Sequence, residues 1–242
     1  MLNDYFDQVT DDKGNLYFSY KSYDGDIIIA KYNGKYSGTF VKFNDSDVSR
    51  VRLAYNNSKL YMATNKNVYD ITDGNMTEKY SLEGNGEITA FAVNGEDIYI
   101  AHGTDSNDVY CKVMKVGEEK QSESMKFITD MIFANGTLYA LSLGIIDISR
   151  LKDDKIKTDY CESGKLIKIN DLQLKDCSQL LFPVRFFTVT KRELLIMDDG
   201  FLDKVSGNVE QKNKLAIFNF ENEKINSFDM EEELLYEFSG SK

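Results

Sequence analysis

A pattern of thirteen residues returns five times along the chain, and it limits the possible folds more than any single residue does. Each copy begins with alternating apolar and polar residues, passes through a short polar turn and ends on a Leu-Tyr-like pair. The copies are residues 5–17, 49–61, 87–99, 127–139 and 183–195, the last of which ends on Leu195 where the others have Tyr. Their final positions, 17, 61, 99, 139 and 195, are 44, 38, 40 and 56 residues apart. A regular period of this length predicts an array of similar structural units.

Each unit reads as four short strands. The first strand alternates, as in Val51, Leu53 and Tyr55, with the two-residue period of a β-strand. Turns such as Asn135-Gly136 follow, and Asn-Gly closes tight hairpins because both residues accept positive φ angles. The second strand is apolar on both faces, as in 138–140, so it must be covered on both sides. Third strands are predicted at 27–32, 68–72, 109–116, 145–149 and 215–220, and polar fourth strands at 77–82, 121–126 and 155–160.

These units predict an all-β fold, a β-propeller of four-stranded blades, because the period is close to the roughly 40–50 residues of a propeller blade. We expect a single domain over residues 1–242. The blades are predicted at about 5–43, 49–82, 88–123, 128–160 and 180–230, with insertions at 161–179 and 201–213. Five repeats are visible, and a sixth blade is open: Leu234-Leu235-Tyr236 could be its remnant, completed by a strand from the N-terminus.

The last quarter of the chain resembles a known repeat. Residues 185–187 read Arg-Phe-Phe, residues 194–200 read Leu-Leu-Ile-Met-Asp-Asp-Gly, and residues 213–218 read Asn-Lys-Leu-Ala-Ile-Phe. Together they resemble the NHL-type β-propeller repeat, and the other four copies resemble it more weakly. The resemblance implies a six-bladed propeller of the kind found in many bacterial extracytoplasmic proteins. It leaves the activity open, since such propellers include protein-binding and RNA-binding scaffolds as well as calcium-dependent lactone and ester hydrolases.

Charge narrows the choice of partners. The chain has 29 basic and 40 acidic residues and a net charge of −11, so it would repel the phosphates of a nucleic acid over most of its surface. No apolar stretch is long enough to span a membrane. The first residues lack a basic and apolar leader, which predicts a soluble protein that is either cytoplasmic or exported and trimmed of its signal. Without a partner signature in the sequence, a monomer is the default expectation.

The sequence predicts different roles for the three cysteines. Cys111 falls in a predicted third strand, where a buried thiol is expected. Cys161 and Cys177 flank the first predicted insertion, and they could form a disulfide if the protein is exported. No zinc-binding spacing of Cys and His is present.

Propeller topology predicts where a ligand would bind. The loops from second to third strands, and from fourth strands to the next first strands, meet on one face, called the loop face below. A rim rich in carboxylates there could hold Ca²⁺, with Asp105, Asp108, Asp198 and Asp199 as candidate ligands, or a cationic or sugar-like molecule. The alternative is that Asp is simply common in turns. The rim as a whole comprises Asp24, Asp26, Asp45, Asp47, Glu83, Glu87, His102, Asp105, Asp108, Asp198 and Asp199.

A second candidate set lies near the start of the first strands. Arg52, Asp130 and Arg185 occupy the same or adjoining columns of the repeat, where other copies have apolar residues. Two arginines facing a channel mouth would favour a carboxylate or phosphate ligand. The other reading, which is favoured, makes Arg52 and Asp130 an ion pair between blades.

Catalytic motifs are absent: the sequence has no Gly-x-Ser-x-Gly, no phosphate loop of proper spacing and no complete calcium loop. His102 is the only histidine, and a lone histidine is more often structural than catalytic. The first hypothesis is therefore a non-enzymatic scaffold that needs no cofactor and binds a protein or small ligand through Arg52, His102, Asp130, Arg185, Asp198 and Asp199. The alternative is a calcium-dependent hydrolase or lyase acting on an ester, lactone or glycan.

Overall fold

The computed structural model describes residues 4–103, 110–143, 145–146, 161–162, 164–180, 183–189, 192–198, 201–202, 209–210 and 214–229. Within these ranges all regular structure is β. None of the described chain forms a helix that could cross a bilayer. The chain divides into two compact units, residues 1–124 and 125–242. The single domain that the sequence predicts stays a prediction, and each unit is described separately.

The first three antiparallel sheets have four strands each and are called blades 1 to 3; each follows chain order from the first to the fourth strand. All of their strands except the last, β12, lie in the first unit. Blade 1 contains β1 (Asp4–Thr10), β2 (Leu16–Lys21), β3 (Asp26–Tyr32) and β4 (Ser37–Asn44). Blade 2 contains β5 (Val51–Asn56), β6 (Lys59–Thr64), β7 (Asn67–Asp70) and β8 (Thr77–Ser81). Blade 3 contains β9 (Ile88–Asn94), β10 (Asp97–Gly103), β11 (Tyr110–Lys115) and β12 (Met125–Lys126).

The second unit holds blades 4 and 5, each with a small hairpin inserted between its second and third strands. Blade 4 contains β13 (Ile128–Ala134), β14 (Thr137–Ser142), β17 (Gly164–Asn170) and β18 (Gln173–Leu180), and its inserted hairpin pairs β15 (Ile145–Ile146) with β16 (Cys161–Glu162). Blade 5 contains β19 (Pro183–Val189), β20 (Glu193–Asp198), β23 (Lys214–Asn219) and β24 (Lys224–Asp229), and its hairpin pairs β21 (Phe201–Leu202) with β22 (Val209–Glu210).

The outer half of blade 4 corrects the sequence analysis. Residues 145–149 and 155–160 were predicted as its third and fourth strands, and 161–179 as an insertion. Instead β17 and β18 complete the sheet, so most of 161–179 belongs to the blade and the insertion precedes it. The segment 164–170 has buried residues on both faces, Leu166 on one and Ile167 and Ile169 on the other, as expected of a strand that is covered on both sides. The sixth blade suggested by 234–236 lies outside the described residues.

Second strands supply the apolar centre of the units. In β6 and β14 every residue after the first is buried, which confirms that these strands are covered on both faces. In β2 only Tyr17 and Ser19 are buried, so its prediction as a strand buried on both faces is wrong. Its other face carries Phe18 and Tyr20, half-buried and stacked with ring centroids 5.9 Å apart.

Blades pack against their neighbours through these faces. Tyr17 and Ile29 of blade 1 share a cluster with Leu53 and Met62 of blade 2. Phe91 and Ile100 of blade 3 pack against Tyr61 of the same blade 2. In the second unit, a cluster joins blades 4 and 5; it includes Tyr139, Leu141, Leu166, Leu194, Ile196 and Phe218.

The first hairpin turns use the positive φ angles that Asn and Gly favour, though not always at the predicted residues. Asn135 and Gly136 form the turn of blade 4, with φ of 48° and 74°. In blade 2 the turn is Asn57-Ser58, with φ of 49° and 61°, one residue later than the predicted Asn56-Asn57. Positive φ at both central residues is the conformation of a type I′ turn, which matches the twist of the strands.

Cys111 is buried in β11, as expected, with its Sγ 3.6 Å from Oγ1 of Thr89. Cys177 in β18 is a half-buried free thiol, and burial raises its pKa. The disulfide with Cys161 is therefore not formed in this structure.

Replacing Ser58 with glycine should stabilise the protein. Ser58 is exposed and holds a φ of 61°, a left-handed conformation that costs a residue with a Cβ about 1 kcal/mol and glycine little. We expect Ser58→Gly to raise the free energy of unfolding by about 0.5–1 kcal/mol in denaturant titrations. The reverse change at the matching turn, Gly136→Ser, should lower it by a similar amount. A loss of stability in Ser58→Gly would contradict this view of the turn.

Candidate functional site

The first strand of each blade lies at the edge of its sheet, so its outward N–H groups find no partner within the blade. In blade 2 a carboxylate from blade 1 provides one. Asp7, only 5% exposed, accepts a hydrogen bond at Oδ2 from the backbone N–H of Leu53, at 2.8 Å. Ser19 braces Asp7 in turn, since its hydroxyl lies 3.1 Å from the Asp7 nitrogen and 3.2 Å from its carbonyl oxygen. The result is a buried hydrogen-bonded bridge between two blades.

Asp130 makes the same kind of bridge in the second unit. Its Oδ2 accepts a hydrogen bond from the N–H of Phe186 on the first strand of blade 5, at 2.9 Å. Its Oδ1 accepts one from the N–H of Met131, also at 2.9 Å. Both oxygens of this predicted ligand-binding residue are therefore engaged by backbone donors. Its proposed ion pair with Arg52 stays a prediction, because the two residues belong to separately described units.

A β-bulge aims both carboxylates. The pairing of β1 with β2 skips Phe6, and the pairing of β13 with β14 skips Thr129, so an extra residue directly precedes Asp7 and Asp130. A bulge re-aims the side chains beside it and increases the local twist. When the thirteen-residue copies are aligned without gaps, Asp7 and Asp130 occupy neighbouring positions rather than the same one. In the structure each directly follows the bulge of its first strand, so the two residues are equivalent.

On the loop face, Asn65 joins the connections on either side of blade 2. Its side-chain nitrogen lies 3.0 Å from the carbonyl oxygen of Asp47 and 3.3 Å from Oε1 of Glu87, and its backbone carbonyl oxygen accepts the N–H of Ile88. The residue is 6% exposed, so these polar groups are satisfied within the protein. A buried Asn in the β6–β7 turn carries no recognisable sequence signal, and the sequence analysis missed it.

Lys66 holds the next loop. Its ammonium donates to the carbonyl oxygens of Gly84 and Gly86, the former at 2.8 Å. The Gly86 backbone lies so close to Gly103 that a Cβ on Gly86 would stand 2.2 Å from the Gly103 carbonyl oxygen. Gly86 therefore cannot accept a larger residue without backbone movement. This lysine was also missed, because a lysine between two strands reads as an ordinary surface residue.

The loop face of blade 1 presents one large side chain to solvent. Residues 22–26 form a turn in which the N–H of Gly25 donates to the Ser22 carbonyl, and the N–H of Asp26 donates to the Ser22 hydroxyl. Tyr23 lies at its tip and is 70% exposed. Asp26 beside it contacts Lys42 at 2.6 Å and Asn44 at 3.0 Å, and the hydrogen bond from Lys42 lowers the pKa of its carboxyl.

The remaining rim residues do not converge in the described structure. Asp45 accepts the N–H of Asp47 within its own loop, and Asp24 and Glu83 are exposed. His102 lies on β10 with Nδ1 3.1 Å from the Gly103 carbonyl oxygen. Among the residues that the structure describes, no three His, Cys, Asp or Glu side chains are grouped to hold a metal.

The other predicted site residues differ in how much of each the structure describes. Arg52 is half-buried on β5, opposite Ala63. Arg185 lies on β19 and Asp198 ends β20, but their side chains are outside the described structure. Asp105, Asp108 and Asp199 lie wholly outside the described residues. The Ca²⁺ site that these carboxylates would form therefore stays a prediction.

Solved structures identify the fold. The chain is similar to an oligogalacturonate lyase in complex with manganese, with a TM-score of 0.59 and 12% sequence identity over 95% of this chain. It is also similar to the WD40 domain of Pan2 from Neurospora crassa, with a TM-score of 0.51 and 10% identity over 95% of this chain. The chain spans 66% of the length of each.

No family model matches the sequence, and no curated protein matches it. At these identities the structural similarity shows the fold alone. Together with the five four-stranded sheets it confirms the β-propeller predicted from the repeat, with five blades in the described residues. The NHL type stays a prediction.

Removing the carboxylate of Asp130 should destabilise the second unit. In Asp130→Ala the N–H of Phe186 loses its acceptor, a change that costs about 1–3 kcal/mol when the donor stays buried. Asp130→Asn retains a carbonyl oxygen and should keep at least half of that stability. Denaturant unfolding of the two variants measures both. If Asp130 served a ligand instead, the alanine variant would be as stable as the parent protein.

Proposed function

We propose that this chain is a non-enzymatic β-propeller scaffold that binds a protein partner on its loop face. The proposal rests on the hydrogen bonds that Asp130 accepts. Both of its oxygens accept backbone hydrogen bonds, one of them from the neighbouring blade. A carboxylate occupied in this way supports a framework role better than a role in catalysis.

The braced loop face of the first unit supports the same conclusion. Asn65 and Lys66 hold the connections around blade 2 through side-chain hydrogen bonds, so this part of the surface is ordered before a partner arrives. Ordered surfaces lose less conformational entropy on binding. Tyr23 stands at the tip of a hydrogen-bonded turn on the same face, and tyrosine is among the residues that most often dominate interface energies.

Tyr23 therefore provides the test. We expect affinity capture from an extract of the source cells, quantified by mass spectrometry, to recover a partner with the parent protein but not with Tyr23→Ser. The recovered protein, once purified, should bind the variant at least tenfold more weakly, because interface anchors contribute about 2 kcal/mol or more.

Tyr36→Ser is the matched control. Tyr36 is 76% exposed, but it lies in the turn between β3 and β4, at the opposite end of blade 1. Its replacement should leave the affinity unchanged. Equal binding by the Tyr23→Ser variant, or equal losses in both variants, would contradict binding through the loop face.

The alternative is a metal-dependent hydrolase or lyase, and it has its own test. One structural relative of this chain is a lyase in complex with manganese. We would measure thermal unfolding after EDTA treatment, with and without millimolar Ca²⁺ or Mn²⁺. A metal bound only to the folded protein at 100 times its dissociation constant adds about 2.7 kcal/mol and raises the midpoint by a few degrees. The scaffold proposal expects no such shift, whereas a clear rise would favour the enzyme.

A further inference from the structure

The sequence contains four Asn-Gly pairs, at 33–34, 85–86, 94–95 and 135–136, and all four Asn side chains are exposed. Their surroundings nevertheless differ in the atoms that deamidation requires. From these differences we propose that Asn135, in the first turn of blade 4, is a site of spontaneous deamidation, and that the fold protects the other three. The inference is independent of the proposed binding function.

The chemistry needs only hydroxide and water. The backbone nitrogen of Gly136 loses its proton to hydroxide and attacks Cγ of Asn135. The new C–N bond closes a five-membered succinimide, the Cγ–Nδ2 bond breaks, and the nitrogen leaves as ammonia after taking a proton from water. Water then opens the ring at either carbonyl, which leaves an aspartyl or isoaspartyl residue at position 135. The asparagine must turn its Cγ toward the glycine nitrogen, and that nitrogen must be free to react.

Asn135 meets these conditions. Within the part of the chain that the structure describes, its carboxamide makes no hydrogen bond, so the side chain can rotate toward Gly136. A Cβ placed on Gly136 would have no heavy atom within 4 Å, so the turn has open space around it.

Hydrogen bonds hold two of the other pairs. The N–H of Gly95 donates to Oδ1 of Asn56 on the neighbouring blade, at 3.0 Å, so the attacking nitrogen for Asn94 is engaged. The side-chain oxygen of Asn33 accepts the N–H groups of Lys35 and Tyr36, at 3.1 and 2.9 Å, which fixes the carboxamide away from Gly34.

Packing holds the remaining pair, Asn85-Gly86. The carbonyl oxygens of Gly84 and Gly86 both accept hydrogen bonds from Lys66, and the Gly86 backbone is in tight contact with Gly103. The backbone rotation that brings a glycine nitrogen to Cγ would break these contacts.

Deamidation of Asn135 should disturb the apolar core of the second unit. The turn joins β13 to β14, and the pairing that it sets places Tyr139 and Leu141 in the cluster between blades 4 and 5. An isoaspartyl link adds one atom to the backbone of a two-residue turn, and an aspartyl residue adds a negative charge. The first change strains the register of the hairpin, so the modified protein should unfold at a lower denaturant concentration.

The test is peptide mapping by mass spectrometry during incubation in mildly alkaline buffer at physiological temperature. The folded protein should convert at position 135 first, at least fivefold faster than at positions 33, 85 and 94. In urea, where the four pairs lose their surroundings, their rates should become similar. Equal rates in the folded protein, or a ranking unchanged by urea, would overturn the proposal.

Two variants separate the local causes. Asn56→Ala removes the acceptor of the Gly95 N–H and should accelerate conversion of Asn94 about fivefold, the rate equivalent of one lost hydrogen bond, without changing the rate at Asn135. Gly136→Ala should slow conversion at Asn135 alone, since a Cβ hinders attack by its nitrogen. An unchanged rate at Asn94 in the first variant would show that the hydrogen bond to Asn56 is not protective.

Discussion

The unpaired inner edge of each blade is the constraint on which the rest of the structure depends. In a four-stranded sheet, the backbone groups of the first strand have hydrogen-bonding partners on one side only. Packing blades face to face provides no partners for the groups on the other side. For blades 2 and 5 the preceding blade provides an acceptor: Asp7 accepts the N–H of Leu53, and Asp130 accepts the N–H of Phe186. A buried N–H without an acceptor costs about 1–3 kcal/mol, so each bridge is a large part of a typical margin of stability.

Further side-chain hydrogen bonds between neighbouring blades occur at both ends of the blades in the first unit. On the loop face, Arg50 of blade 2 donates to the carbonyl oxygen of Ile88 in blade 3 at 3.2 Å. On the opposite face, the phenol of Tyr55 donates to Asp12, and Asn56 accepts the N–H of Gly95. Polar side chains thus join blade 2 to blades 1 and 3 beside their shared apolar clusters.

The repeat predicted the class of fold and most strands of the blades, because a two-residue period and Asn-rich turns follow directly from strand geometry. It failed at the outer half of blade 4, where the inserted hairpin carries an apolar strand-like segment, Ile145 and Ile146, that resembles the expected third strand. Local pattern cannot tell an inserted hairpin from the strands of the main sheet.

The candidate site was predicted only in part. Asp130 was recognised as unusual because a charge interrupts an apolar column, but its role depends on a bulge at Thr129 that no pattern reveals. Asn65 and Lys66 were missed because their partners are backbone atoms of distant loops. Sequence shows which side chains are out of place, whereas only the fold shows which backbone groups need them.

Amide hydrogen exchange at Leu53 and Phe186 tests the account most directly. Both N–H groups point away from their own sheets, so they should exchange quickly unless the neighbouring carboxylates hold them. We predict strong protection of both in the parent protein, and loss of protection at Leu53 alone in Asp7→Ala, with the amides paired inside blade 2 unchanged. Rapid exchange of these two amides in the parent protein would contradict the view that carboxylates join the blades.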